Sequence, residues 1–262
     1  MDYRRLKVSR GPVASVRLDR PEVRNAMDAA FFLEIAHCFR ALSADDAVRV
    51  VVLSAEGKDF CAGADIGWMR ESGRLKGEAS RKDAALIVDM CRAVAECRVP
   101  VVARVHGSVF GGGLGLVASC DVAVAGAGGR MCFSECRLGI LPAVISAFVL
   151  PKIGSSFARR YYLTAEPFGM EEARRMGLVH EVVPEAELDA RVSAVAGSIL
   201  KTGPNAVRQA KTLIREICDP EFEGRVSRCL DALVQARATP EAQEGLMAFL
   251  EKRPASWVKA GG

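Results

Sequence analysis

Two β-branched runs, Val48–Leu53 and Val101–Val105, constrain this chain most. Neither alternates apolar with polar residues, as a strand facing water on one side would, so each predicts a strand buried on both faces. Covering both faces calls for helices between the strands, and helical periodicity is found there. Asp28 is placed to cap a helix carrying Phe31, Phe32, Ile35, Phe39 and Leu42. Ser80 is expected to cap a long helix in which Leu86, Met90 and Val94 recur one turn apart, ended before Pro100. Val13–Leu18 alternates and reads as a strand paired with Leu6–Ser9 across Gly11-Pro12. Ala55–Gly67 reads as a loop, and Asp121–Ala125 and Val179–Val183 as further strands. Strands alternating with helices predict βαβ units with mostly parallel pairing. From about Ala186 onward only helices are expected, separated at Gly203-Pro204, Asp219-Pro220 and Thr239-Pro240. The division that follows is a core over residues 1–195 and a helical domain over 196–262.

Composition narrows the class of function. Lys and Arg exceed Asp and Glu by four, 36 against 32. That excess favours an anionic ligand, but no Lys/Arg stripe with interleaved aromatics marks a nucleic-acid face. No apolar stretch reaches the roughly 18 residues of a membrane span. The opening MDYRRLKVSRGPV lacks the apolar segment of a signal peptide, so a cytoplasmic protein is expected. Nine cysteines occur without a C-x-x-C pair. Cys132 and Cys136 have a spacing that suits one helix face, but no histidine cluster completes a metal site. Reduced, buried thiols and no metal are expected.

The stretch HGSVFGGGLGLVASCD, His106–Asp121, follows the second buried strand. It lacks the Gly-Lys-Ser/Thr of a P-loop and the third glycine of a dinucleotide fingerprint. Its serine stands one position early for a hydrolase nucleophile elbow. What remains is a strand, a glycine turn and a helix whose first N–H groups have no internal partner. Such a site suits an anion, or a carbonyl that becomes one during reaction; a close helix–strand crossing needing small residues is the alternative reading. Phe60-Cys-Ala-Gly-Ala-Asp-Ile66 is a second junction of the same kind, after the first buried strand. If the strands are neighbours and parallel, both junctions open on one sheet edge, and one N–H from each loop can converge on one oxygen.

These residues resemble the crotonase superfamily, the enoyl-CoA hydratase/isomerase family. The resemblance is carried by Leu18-Asp-Arg-Pro21 with Arg24-Asn-Ala26, Val50–Leu53 leading to Phe60–Asp65, and His106-Gly107. It continues through Gly111–Gly113, Cys120-Asp121, Phe133–Pro142 and Gly177-Leu-Val179. It spans about residues 13–185. It implies a spiral of ββα units with a C-terminal helical trimerisation domain, assembled as a homotrimer or dimer of trimers. It also implies an acyl-CoA thioester substrate, coenzyme A being part of that substrate, and no other cofactor. The implied oxyanion donors are the backbone N–H groups of Ala64 and Gly112. Arg24, Ala62, Asp65, Ile66 and Gly111 fall where the family contacts the CoA ester. Asp65 has the alternative role of a helix cap, and Lys252-Arg253-Pro254 that of reaching phosphates or ending the last helix.

Two-glutamate hydratases of this family carry one glutamate after the glycine triplet and one before the Leu-Gly-Ile-Leu-Pro segment. The second is present here as Glu135; the first position holds Gly115. A carboxyl between Phe133 and Leu138 is expected to have a raised pKa. One carboxylate fits hydration of a 2-enoyl-CoA if Glu135 does both jobs or another group assists, isomerisation of a 3-enoyl-CoA, or a catalytically weak acyl-CoA-binding subunit. Pro142-Ala-Val-Ile-Ser146, with Phe148-Val-Leu and Ile153-Gly154, resembles the methylglutaconyl-CoA/carboxygeranoyl-CoA hydratase branch. That branch acts on branched esters with a distal carboxylate, for which Arg70 and Arg137 are partners to weigh against plain surface arginines. His37, His106 and His180 read as structural.

Overall fold

The computed structural model describes residues 3–218 and 221–256, without the side chain of Ile217; the expected break at Asp219-Pro220 lies outside them. Nine strands and ten α-helices are described: β1 Leu6–Ser9, β2 Val13–Leu18, α1 Ala29–Ala44, β3 Val50–Ala55, α2 Ile66–Ser72, α3 Gly77–Ala95, β4 Val101–Val105, β5 Ser108–Phe110, α4 Gly112–Ala118 and β6 Val122–Gly126. There follow β7 Arg130–Cys132, α5 Ala143–Thr164, β8 Phe168–Gly169, α6 Met170–Arg175, β9 Glu181–Val183, α7 Leu188–Leu200, α8 Pro204–Cys218, α9 Phe222–Arg237 and α10 Pro240–Leu250.

The large sheet has the order β1-β2-β3-β4-β6-β9; β1 and β2 pair antiparallel and every later pair is parallel. A small sheet, β5-β7-β8, is extended by the single parallel bridge of Cys61 with Val109. Successive turns of chain thus give one strand to the large sheet, a short piece to the small one, and then a helix. This is the ββα spiral.

Strand periodicity explains the apolar runs. Val51 and Leu53 of β3, Val101, Ala103 and Val105 of β4, and Ala123 and Ala125 of β6 face the main core. The alternate residues Val50, Val102 and Val124 face the other way and are covered by Leu188, Val192 and Ala196 of α7. Both faces are therefore buried, as a parallel sheet requires. On the main-core side α1 begins at Asp28, whose carboxylate accepts the Phe31 N–H at 2.8 Å.

Several boundaries differ from expectation. Parallel pairing runs from Val13–Val50 to Leu18–Ala55, so β3 is shifted to Val50–Ala55 by the length of its partner. α3 begins a turn before Ser80, with Lys76 at its N-cap and the Ser80 amide bonding back to the Lys76 carbonyl at 3.5 Å. Ser80 is consequently inside the helix, its buried Oγ unpaired. β9 is confined to Glu181–Val183, the part in register with Val124–Gly126 of β6. Cys132 ends β7 and Cys136 lies in a 3₁₀ turn, so the two do not share a helix face. α5 carries Pro151 and breaks helical geometry at Gly154 (φ 67°, ψ 170°), which accounts for its kink. α7 runs continuously through residue 195. Among the described residues no helix is long and apolar enough to cross a membrane.

Candidate active site

The site begins where β3 and β4 end. The loop after β3 is laid against the segment after β4 by Phe60 N–H to His106 O (3.1 Å), Cys61 N–H to Ser108 O (3.2 Å) and Phe110 N–H to Cys61 O (2.9 Å). The Asp59 carboxylate adds a bond from the Ser108 N–H at 2.9 Å. Buried Asn25 fastens the other side, its amide donating to the carbonyls of Glu56 (2.8 Å) and Asp59 (3.0 Å) and accepting the Arg20 N–H (2.8 Å).

Register then decides what meets. Cys61 stands opposite Val109 in a single parallel bridge, and two residues on, the chains are still close, a Cβ on Gly63 falling 3.9 Å from the Gly111 Cα. Both chains turn at this step, Gly63 with φ 94° and Gly111 with φ 49°. A side chain there would be strained in conformation and, at Gly63, would place a Cβ 3.1 Å from the Phe110 carbonyl oxygen. The Gly63 carbonyl and the Asp65 amide both bond to Met27 (2.8 and 2.9 Å), which leaves the intervening Ala64 amide turned away from it. The Gly112 amide opens α4. Neither N–H donates to any described residue, and both residues line one cavity of about 960 Å³.

Glu135 is brought to the same place by the 3₁₀ turn that follows β7. A Cβ on Gly111 would lie 3.4 Å from its Oε1, so the carboxyl sits beside the glycine turn. The residue lines the cavity, while Oε2 is out of solvent and unpaired. Burial pushes its pKa from 4.5 up to about 7, only partly opposed by its own backbone N–H.

Gly115, buried in α4, is closed off. A Cβ there would lie 2.5 Å from Ile145 Cγ2 and 3.4 Å from Cys91 Sγ. The room that a side chain at 115 would need is filled by Ile145 of α5, a β-branched residue with little rotamer freedom in a helix. Gly115→Ala is expected to destabilise the protein by about 1–3 kcal/mol through overpacking. Ile145→Ala in the same chain should recover part of that loss; urea midpoints of the two variants measure both effects.

The other expected site residues take varied positions. Arg24 is exposed at the cavity wall in the left-handed region (φ 53°), its Nε 3.8 Å from Asp59. Its carbonyl accepts the Ala62 N–H at 2.9 Å. Asp65 caps α2, accepting the N–H groups of Gly67 (2.9 Å) and Trp68 (3.2 Å), with Arg20 3.5 Å away. Ile66, half exposed, belongs to the wall. Arg137 is exposed and lines the cavity; Arg70 is exposed and does not. Arg253 is held by Glu244 and Glu251, each at 2.7 Å. His106 lies buried between the Gly57 carbonyl (2.9 Å) and Arg104 (3.1 Å), His180 accepts the Ala123 N–H (3.0 Å), and His37 pairs with Tyr3 (3.0 Å).

Among the lining residues to which the sequence reading gave no individual role are Trp68, Ile145 and Arg237. Arg237 had a usable signal. It continues the buried stripe Val226, Leu230 and Leu233 of α9, a charge on an apolar face.

The family model described as enoyl-CoA hydratase/isomerase matches residues 9–260. The crotonyl-CoA hydratase of Syntrophomonas wolfei is 34% identical over 248 residues, covering 94% of each chain. The short-chain-enoyl-CoA hydratase of Clostridium acetobutylicum is 31% identical over 245 residues, covering 93% of each. Among solved structures, an enoyl-CoA hydratase from Mycobacterium avium superposes with a TM-score of 0.87 at 34% identity, covering 98% of this chain and 100% of that one. Fold and relatives define an enzyme with the crotonase fold. The chain belongs to the enoyl-CoA hydratase/isomerase family, the crotonase superfamily.

Proposed function

We propose that the enzyme adds water reversibly to a 2-enoyl-CoA. The observation that carries this reading is a pair of amides, Ala64 and Gly112, that donate to no described residue and line the same cavity as Glu135, whose carboxyl is raised in pKa by burial. The thioester carbonyl would accept both N–H groups. Preorganised donors of this kind contribute about 2.7–4 kcal/mol each to an oxyanionic transition state. With Gly115 offering no base, Glu135 would carry one proton through the whole cycle. Its carboxylate takes a proton from water as the water oxygen bonds to the β-carbon. The π electrons move to the enolate, whose oxygen the two amides hold. The carboxylic acid then protonates the α-carbon, which restores the carboxylate and leaves the 3-hydroxyacyl-CoA. A pKa of about 7 suits a group that must accept and return a proton near neutrality.

The CoA portion would enter past Arg24, Ala62, Asp65, Ile66 and Gly111, with no cofactor beyond the CoA of the substrate. We read the acyl group as branched or carboxylated, on the resemblance of residues 142–154. The helices after residue 195 would serve assembly as a homotrimer or dimer of trimers in the cytoplasm; Leu213 and Ile214 of α8 are exposed. A second reading, isomerisation of a 3-enoyl-CoA, is favoured by the same filled space at Gly115, because one base suffices to move a proton between carbons.

Crotonyl-CoA, 3-methylglutaconyl-CoA and a 3-enoyl-CoA, each followed by enoyl thioester absorbance, separate the readings. Loss of absorbance with either of the first two marks a hydratase. A gain with the third marks an isomerase. Silence with all three, alongside measurable ester binding, would leave only a binding subunit.

A further inference from the structure

One charged group on the cavity wall has no part in the chemistry above. Arg237 is 6% exposed, yet it lines the cavity together with Phe32, Trp68, Ile87 and Leu233, an apolar wall. Its guanidinium lies over the Trp68 ring, 5.4 Å from the centroid. Nη1 donates to Asp83 Oδ2 at 3.2 Å. Asp83 is held by two more donors, Trp68 Nε1 to Oδ1 at 3.0 Å and Ser72 Oγ to Oδ2 at 2.7 Å. The Arg237 backbone is fixed as well, since Gln243 Nε2 donates both to its carbonyl (2.9 Å) and to that of Gly73 (2.8 Å). The guanidinium is therefore clamped by a ring on one face and a carboxylate at one edge. Its remaining N–H groups donate to no described residue and keep contact with the cavity.

Stability alone does not account for this arrangement. A buried ion pair is often no more stabilising than apolar side chains of the same volume. Burial draws the Arg237 pKa down, and Asp83 opposes that and keeps it charged. The charge of Asp83 is spread over three donors, so it does not use up the guanidinium. A rigid planar fork with open N–H groups matches the two oxygens of a carboxylate. Arg137, the other arginine weighed for such a role that lines the cavity, is exposed, and water competes for its donors.

We propose that Arg237 is a specificity-determining residue that binds a carboxylate at the distal end of the acyl chain, making acidic enoyl thioesters the preferred substrates. This rests on the hydratase reading and adds to it the group that selects the substrate.

Two substrate pairs, matched in chain length, test it: glutaconyl-CoA with pent-2-enoyl-CoA, and hex-2-enedioyl-CoA with hex-2-enoyl-CoA. The wild type should favour the acidic member of at least one pair in kcat/KM. Arg237→Met should lower kcat/KM on that acidic ester by about 100-fold and leave its neutral partner within a few-fold. A loss that were merely structural would lower both. Because Asp83 loses its cation in that variant, the double variant Asp83→Asn/Arg237→Met serves as a second probe and should show the same switch. A folded variant that keeps the wild-type acid-to-neutral ratio would overturn the proposal, as would a wild type that prefers the neutral ester in both pairs. Failure of the hydratase reading is separately visible, as a wild type that hydrates none of the four. Calorimetric binding of glutaryl-CoA against valeryl-CoA then still decides on Arg237. Tighter glutaryl-CoA binding that disappears in the variant supports the assignment, and equal affinities overturn it.

Discussion

Replacing Glu135 with Gln is expected to lower kcat by about 1,000-fold, the middle of the range for a positioned general acid–base group, while making the protein more stable at alkaline pH. The two effects share one cause. Burial raises the carboxyl pKa from 4.5 to about 7. Between those values the native state keeps a proton that the unfolded state releases, so stability falls as pH rises through that window. By pH 8 this loss reaches about 3 kcal/mol. Glutamine removes the ionisation and with it the loss. Urea unfolding of both proteins at pH 5 and pH 8 should therefore show a gap that opens toward pH 8 in favour of the variant. Wild-type kcat/KM should rise with pH and reach half its plateau near 7, because the carboxylate is the form that activates water. Appreciable turnover by a folded Gln variant would remove Glu135 from its role.

The second large effect is expected at Gly112. Proline is tolerated at the first position of a helix, where the missing N–H breaks no internal bond. Gly111 before it is already outside the α region, as a residue preceding proline prefers. Gly112→Pro should thus retain the fold and delete one oxyanion donor, lowering kcat about 100- to 1,000-fold with KM little changed. Gly112→Ala keeps the N–H and adds a Cβ 3.2 Å from the flexible Met27 Cε, so it should keep most activity. Circular dichroism confirms folding, and steady-state kinetics with a hydrated enoyl-CoA compares the two. If the proline variant worked as well as the alanine one, the Gly112 amide would not be a donor.

Much of this site could be read locally. Apolar runs located the central strands, because burial on both faces leaves a mark in every residue. Glycine clusters located the two turns, because a close backbone approach excludes a Cβ wherever it occurs. Glu135 was singled out only through the family resemblance of residues 133–142. The individual roles of Ile145 and Arg237 were not legible, for a common reason. What each does depends on a neighbour distant in sequence, Gly115 for the one, Asp83 and Trp68 for the other, and helical periodicity states only which face is buried. The start of α3 was misplaced because Ser80 has the chemistry of a cap while chain geometry made Lys76 the boundary.

The contact between Gly115 and Ile145 also bears on how this enzyme could change. A carboxylate at 115 would overlap Ile145 from its first carbon outward. The one-carboxylate layout is therefore locked by a pair of positions in different helices. Acquiring the two-carboxylate layout would need paired replacements, and the order matters: Ile145 has to shrink before position 115 can grow.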